Sequence, residues 1–215
     1  MTAAESISAS ARFEAAFAAC PLVAVLRGIR PDEIEAVGGA LIDAGFTILE
    51  VPLNSPEPYE SITRLSAMAG ENLLIGAGTV TKVEEVGRVA AAGGHLIVSP
   101  HCDPAVIAAS VDADMVCLPG VFTPTEAFAA IHAGAHGLKF FPAEAATPAV
   151  IKAMKAVLPR GVPLIAVGGM TPDTMGAWGD AGADGYGLGS NLYRPGTTTQ
   201  AVAEQAARYV AALKR

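Results

Sequence analysis

The dipeptide Ala-Gly recurs at Ala44-Gly45, Ala92-Gly93, Ala133-Gly134 and Ala181-Gly182, each time between a helix-forming stretch and a short apolar run. A glycine after the last helical residue reaches the left-handed backbone that ends a helix, because it has no Cβ to clash. The same stop used repeatedly implies one unit built over and over. The apolar runs predict strands at Leu22 to Leu26, Thr47 to Val51, Leu73 to Ala77, Leu96 to Ser99, Met115 to Leu118, Gly137 to Lys139, Pro163 to Val167 and Gly185 to Leu188. They do not alternate apolar with polar residues, as expected of strands covered on both faces. The stretches between them open as helices do; Pro31-Asp32-Glu33 places a proline and two acids in a first turn. Eight such units in 215 residues predict an α/β protein, a (β/α)8 barrel rather than a doubly wound sheet.

An extra helix is predicted ahead of the first strand, from Ser8 to Ala19, with Phe13 and Phe17 on one face. It is expected to plug the amino-terminal end of the barrel. The organisation is then one domain over 1–215, with the helix inside 1–20 and the barrel over 21–215. Phe17 to Cys20 has the look of a lipoprotein cleavage site. The preceding Glu5, Arg12 and Glu14 leave neither a basic leader nor a long apolar run, so it is read as part of the helix.

The formal charge is −7, from 14 basic and 21 acidic residues, with no run of one sign. Such a surface argues against nucleic acid and anionic membranes as partners. A phosphorylated ligand would have to be held by local dipoles and a few cations. The three cysteines, Cys20, Cys102 and Cys117, are too scattered for a metal cluster or a disulfide framework, which suits a reduced, cytoplasmic chain. No apolar run reaches the length of a membrane span.

Barrels of this kind carry their chemistry at the carboxyl ends of the strands. Read there, the chain offers Arg27, Glu50, Thr79, Ser99-Pro100 and Lys139, with Gly168-Gly169 and Gly189-Ser190 after the last two strands. Lys139 precedes Phe140 and Phe141, so its amine is expected to be walled by aromatic rings. Desolvation lowers the pKa of a lysine, and the neutral amine is the form that attacks a carbonyl; the alternative is a strand-end lysine pointing into water. Glu50 lies in the apolar strand I-L-E-V-P-L, where a carboxylate is costly unless paired or used. It is either a general acid/base or the partner of Arg27 or Lys139 in an ion pair. Arg27 suits a substrate carboxylate, and Thr79 either bonds substrate or caps the next helix. The two glycine turns suit a phosphate held by backbone N–H groups, the more so as cations near them are few in the sequence. The four histidines do not converge: His95 and His136 begin strands, His132 is helical, and His101 alone is near the mouth. No bound metal is expected.

Over its whole length the chain resembles the pyruvate-forming class I aldolases that act on 2-keto-3-deoxy-6-phospho sugar acids. The resemblance is carried by Leu49-Glu50-Val51, Gly76-Ala77-Gly78-Thr79, Ser99-Pro100, Cys117-Leu118-Pro119-Gly120, Leu138-Lys139-Phe140-Phe141-Pro142-Ala143-Glu144 and Gly168-Gly169. It implies Lys139 as Schiff-base lysine and Glu50 as proton carrier. Arg27, Thr79, Pro100, Phe141 and Val167 would meet the substrate, and Gly168, Gly169, Gly189 and Ser190 its phosphate. It further implies a homotrimer, no cofactor, and cleavage to pyruvate and glyceraldehyde 3-phosphate. Pro52-Leu53-Asn54, Val167 before the glycine pair, Leu26-Arg27-Gly28-Ile29 and Leu188-Gly189-Ser190-Asn191-Leu192-Tyr193 are similar to the phosphogalactonate branch. The phosphogluconate branch typically has Thr-Leu-Arg and a threonine at the first two of these places. The gluconate epimer as substrate, a cofactor-free phosphosugar epimerase or isomerase, and a non-catalytic phosphosugar sensor remain the alternatives.

Overall fold

The computed structural model describes residues 7–68, 70 and 72–213. The first six residues of the predicted amino-terminal segment, Glu5 among them, lie outside these. The chain runs α1 (Ala9–Ala19), β1 (Leu22–Val25), α2 (Ile34–Asp43), β2 (Ile48–Pro52), α3 (Pro58–Ala67), β3 (Leu74–Gly78), α4 (Val83–Ala91), β4 (Leu96–Val98) and α5 (Pro104–Asp112). It continues β5 (Val116–Leu118), β6 (Gly120–Val121), α6 (Pro124–His132), β7 (Leu138–Phe140), a 3₁₀ turn (Ala143–Ala145), α7 (Pro148–Lys155), β8 (Leu164–Val167), α8 (Pro172–Asp180), β9 (Gly185–Leu188) and α9 (Thr199–Leu213). The strand pairings are all parallel, in the order β5-β4-β3-β2-β1-β9-β8-β7-β6.

The predicted fifth strand is in fact two segments, which is the main correction to the expected eight. Pro119 separates β5 from β6 because proline has no N–H to give to a ladder. The ring closes across this break. The carbonyls of Cys117, Pro119 and Val121 accept N–H bonds from His136 (3.0 Å), Lys139 (2.9 Å) and Phe141 (3.1 Å). Eight staves thus form a closed (β/α)8 barrel. The predicted glycine stops hold: Gly45, Gly93, Gly134 and Gly182 all have φ between +84° and +105°. Helix α2 starts later than Pro31, because residues 31–33 form a turn in which Arg30 pairs with Asp32.

Successive residues along each strand face opposite ways, and this sorts the core into two. Leu22, Ala24, Leu49, Val51, Ile75, Ala77, Leu138, Phe140, Leu164 and Ala166 face out, under the helices. Val23, Ile48, Leu74, Leu96, Val98, Val116, Leu118, Ile165 and Val167 face in and pack with Ala9, Phe13 and Ala16 of α1. Helix α1 is therefore the expected plug. Phe13 is 3% exposed; burying such a ring contributes roughly 2–3 kcal/mol. The strands beneath make room for it: a Cβ on Gly185 would lie 2.7 Å from the Phe17 ring. Ser8 caps α1 by accepting the Ala11 N–H. Among the described residues no helix is long and apolar enough to cross a membrane.

Candidate active site

The inward-facing set carries two charged-type side chains into the barrel. Glu50 lies above Ile48 on β2 and is 1% exposed; Lys139, the middle residue of β7, is 6% exposed. Neither belongs to any of the ion pairs found among the described residues, which join Arg30 to Asp32, Arg64 to Glu60 and Lys155 to Asp184. Glu50 Oε2 has no hydrogen-bond partner. The ion-pair alternative for Glu50 is therefore not what the structure contains. Burial raises the Glu50 carboxyl to about 7, although the nearby Lys139 and Arg27 charges pull it down. Burial also lowers the Lys139 amine, with Glu50 opposing that shift and Arg27 adding to it. Both groups are pushed towards neutrality by the same cause, the loss of water around the charged form.

The aromatic wall around Lys139 is half of what was expected. Its Nζ lies 4.8 Å from the centre of the Phe141 ring. Phe140 faces the other side of the sheet, stacked on Phe122 at 5.3 Å and tilted against Trp178 at 6.3 Å. Neighbours in a strand point to opposite faces, so Phe140 cannot share a side with Lys139.

Room beside Glu50 comes from Gly78. A Cβ there would collide with the Glu50 carboxylate, so glycine is what lets β3 pass the acid. The next residue, Thr79, has φ +57°, a left-handed backbone rarely held by a β-branched residue. Its Oγ1 is 3.5 Å from Arg27 Nη2, while Arg27 Nη1 donates to Asn54 Oδ1 at 2.7 Å. Lys82 holds the N-cap position of helix α4, and Glu85 Oε2 accepts the Thr81 and Lys82 N–H groups at 2.8 and 3.1 Å, so the capping alternative for Thr79 fails. Ser55 accepts the Gly28 N–H at 2.9 Å and fixes the turn that carries Arg27.

Two cavities meet at the lysine. The upper one, of about 600 Å³, is lined by Arg27, Lys139, Phe141, Val167, Gly168, Gly169, Gly189 and Ser190, and also by Glu144, Asn191 and Arg194. The lower one, of about 10 Å³, is lined by Glu50 together with Lys139 and Val167; that is room for roughly one water. Thr79 and Pro100 line neither. Gly168 and Gly169 have φ +115° and +69°, and Glu144 packs against both. Among the described residues the N–H groups of Gly168, Gly169, Ser190 and Asn191 have no acceptor. The Met170 carbonyl accepts from Asn191 Nδ2 at 3.1 Å and from the Tyr209 hydroxyl at 2.9 Å, which ties the two glycine turns together. No three His, Cys, Asp or Glu side chains among the described residues gather as they would around a metal ion.

Asn54, Gly78, Glu144 and Arg194 were not singled out as site residues from the sequence. Three of them stood in the sequence motifs without a role: Gly78 in the G-A-G-T turn, Asn54 in Pro52-Leu53-Asn54 and Glu144 at the end of the motif that begins at Leu138; Arg194 had no signal. The scarcity of cations expected near the glycine turns is also corrected: Arg194 borders the same cavity, a few residues beyond the turn that Ser190 begins.

An inward lysine and carboxylate, both pushed towards neutrality, lie beneath a glycine-walled cavity, and the relatives of the chain are aldolases. The family model for KDPG and KHG aldolases matches residues 13–204. A 2-dehydro-3-deoxy-6-phosphogalactonate aldolase of Escherichia coli (strain K12) is 50% identical over 194 residues, covering 90% of this chain and 95% of that one. A solved structure described as native KDPGal superposes with a TM-score of 0.89 at 50% identity, over 90% of this chain and 94% of that one. A 2-dehydro-3-deoxy-phosphogluconate aldolase of Dickeya dadantii (strain 3937) is 31% identical over 137 residues, 64% of this chain and 63% of that one. The chain belongs to the KDPG and KHG aldolase family. It is a carbon–carbon lyase, which decides against the isomerase and sensor alternatives.

Proposed function

We propose that the protein cleaves 2-dehydro-3-deoxy-6-phosphogalactonate to pyruvate and D-glyceraldehyde 3-phosphate through an imine on Lys139. The observation that carries this reading is that a buried lysine, its pKa lowered by burial, and a buried, unpartnered carboxylate face one barrel interior. Neutral Lys139 adds to the 2-keto carbon, and loss of water leaves a protonated imine. Glu50, as carboxylate, takes the proton of the carbon-4 hydroxyl, with one water in the lower cavity as carrier. The bond between carbons 3 and 4 breaks, its electron pair moves into the imine, and the aldehyde departs. The resulting enamine takes a proton at carbon 3 from Glu50, and water releases pyruvate and the lysine. No cofactor is needed, because the imine is the electron sink. Arg27, braced by Asn54, is suited to the substrate carboxylate. The free N–H groups of the two glycine turns are suited to its phosphate.

Epimer choice is assigned to Val167, which lines both cavities beside Lys139. The two candidate substrates differ only at carbon 4. A threonine at this place offers that hydroxyl a hydrogen bond, whereas valine offers a methyl of nearly the same volume. A hydroxyl turned towards Val167 goes unpaired, which costs about 1–3 kcal/mol, or roughly ten- to a hundredfold in selectivity. Specificity constants for both epimers should therefore favour the galactonate compound, and Val167→Thr should narrow or reverse the ratio. A wild-type preference for the gluconate epimer would overturn the assignment. An unchanged ratio in the variant would remove position 167 as its determinant.

The phosphate reading has its own check. Gly169 holds φ +69°, and a Cβ there would lie 3.2 Å from the Glu144 Cβ. Gly169→Val should raise KM for the phosphorylated substrate by about tenfold or more while affecting an unphosphorylated analogue far less. Equal losses on both would make the turn purely structural. A homotrimeric, cytoplasmic enzyme completes the proposal; light scattering of the purified protein tests the trimer.

A further inference from the structure

The upper cavity has an unbalanced wall. Glu144 projects its carboxylate against Gly168, on the floor where the phosphate is proposed to rest. It has no ion-pair partner among the described residues. A phosphate monoester carries about −1.5 to −2 charges at pH 7, so it would arrive beside a fixed negative charge in a protein of net charge −7. Backbone N–H groups alone carry only partial charge. Arg194 borders the same cavity. Its Nε donates to the Ser190 carbonyl at 2.7 Å, and its own N–H donates to Thr197 Oγ1 at 3.2 Å. Among the described residues its two Nη groups have no acceptor. One nitrogen thus anchors the guanidinium to the second glycine turn, and the other two are left to bind.

We infer that Arg194 is the cationic wall of the phosphate cradle, held by the Ser190 carbonyl so that its Nη pair closes on the terminal phosphate and offsets Glu144. This rests on the proposed reading of a phosphorylated substrate. A guanidinium suits the place because its fork meets two phosphate oxygens at once and stays charged.

The test compares Arg194→Gln and Arg194→Lys with wild type, after thermal melts establish that all three fold. KM and kcat for the phosphorylated substrate are measured, together with inhibition by inorganic phosphate. In Arg194→Gln, KM and the inhibition constant for phosphate should each rise about ten- to a hundredfold, while kcat falls by less than about threefold. Arg194→Lys keeps the charge but loses the Nε anchor and the fork, and should fall between the two. The inference is overturned if Arg194→Gln keeps KM and phosphate inhibition within about twofold of wild type. It is equally overturned if Gln and Lys lower kcat alike with phosphate inhibition unchanged, since that describes a loop brace. Should wild type itself ignore inorganic phosphate and cleave the unphosphorylated acid as well, the underlying function fails and takes this inference with it. A wild type that requires phosphate, beside an Arg194→Gln variant whose preference for the phosphorylated over the unphosphorylated acid stays within about twofold of wild type, overturns this inference alone.

Discussion

Lys139→Arg should abolish cleavage, by on the order of 10⁴-fold or more, while leaving the barrel folded. Arginine keeps roughly the reach of the side chain but not its chemistry, because a guanidinium does not give up its proton and cannot add to a carbonyl. The lysine can, since burial lowers its pKa. Pyruvate with borohydride should reduce the imine in place and add a reduced pyruvyl mass to the wild-type peptide that contains Lys139. The variant should take up none. Label on a different lysine, or an active Lys139→Arg enzyme, would end the imine mechanism at this residue. The main-chain bond from Lys139 to the Pro119 carbonyl survives the substitution, so loss of the fold is not the expected cause of lost activity.

Glu50→Gln separates a working acid from a structural one, because the two roles predict opposite changes in stability. An ion-paired carboxylate stabilises a fold, and its replacement would cost stability. Glu50 instead has no partner, and its pKa stands at about 7 in place of 4.5. The folded protein therefore holds a proton between these values that the unfolded chain has released. The stability associated with this site is complete below pH 4.5 and is lost as the pH rises through about 7. At roughly 1.4 kcal/mol for each pH step, the penalty at pH 8 is on the order of 3 kcal/mol. Glutamine removes it, less the cost of burying an unpaired amide. The variant should be more stable than wild type by about 1–3 kcal/mol at pH 8 and about equal to it near pH 4.5. Turnover should fall by roughly 100-fold or more, with pyruvate still trapped. The wild-type specificity constant should rise with pH through about 7, as the carboxylate becomes available. Denaturant melts at the two pH values, alongside initial rates, decide the matter. Lower stability at pH 8 or near-normal turnover returns Glu50 to a structural role.

The repeat of glycine stops made the barrel legible before any coordinates, since a local signal used at regular intervals survives without knowledge of tertiary contacts. Glu50 and Lys139 were legible for a related reason: each is an ionisable side chain where the pattern calls for an apolar one. What could not be read depends on which side a residue faces or on what lies across the barrel. Phe140 looked like part of the lysine's wall because a strand of three residues is too short for alternation to declare itself. Pro119 looked like the end of a strand, although the stave continues beyond it. Asn54 meets Arg27, and Gly78 clears Glu50, only because neighbouring strands bring their ends together. Arg194 is an ordinary arginine in sequence, and Glu144 only the last letter of a motif with no role assigned to it, until the last two loops bring them to one cavity.

The break at Pro119 has a consequence beyond closure. A parallel sheet that stays open has two raw margins, and each can recruit a strand from another molecule. Here those margins belong to β5 and β6, which are separated by one residue. Each is hidden by the same short seam against β7, and the middle bond of that seam is made by the main chain of Lys139. The residue that would hold the substrate thus also holds shut the place where the sheet would otherwise be adhesive. The proposed chemistry and the protection of the sheet margins thus meet at one point in the chain, the first through the side chain and the second through the backbone.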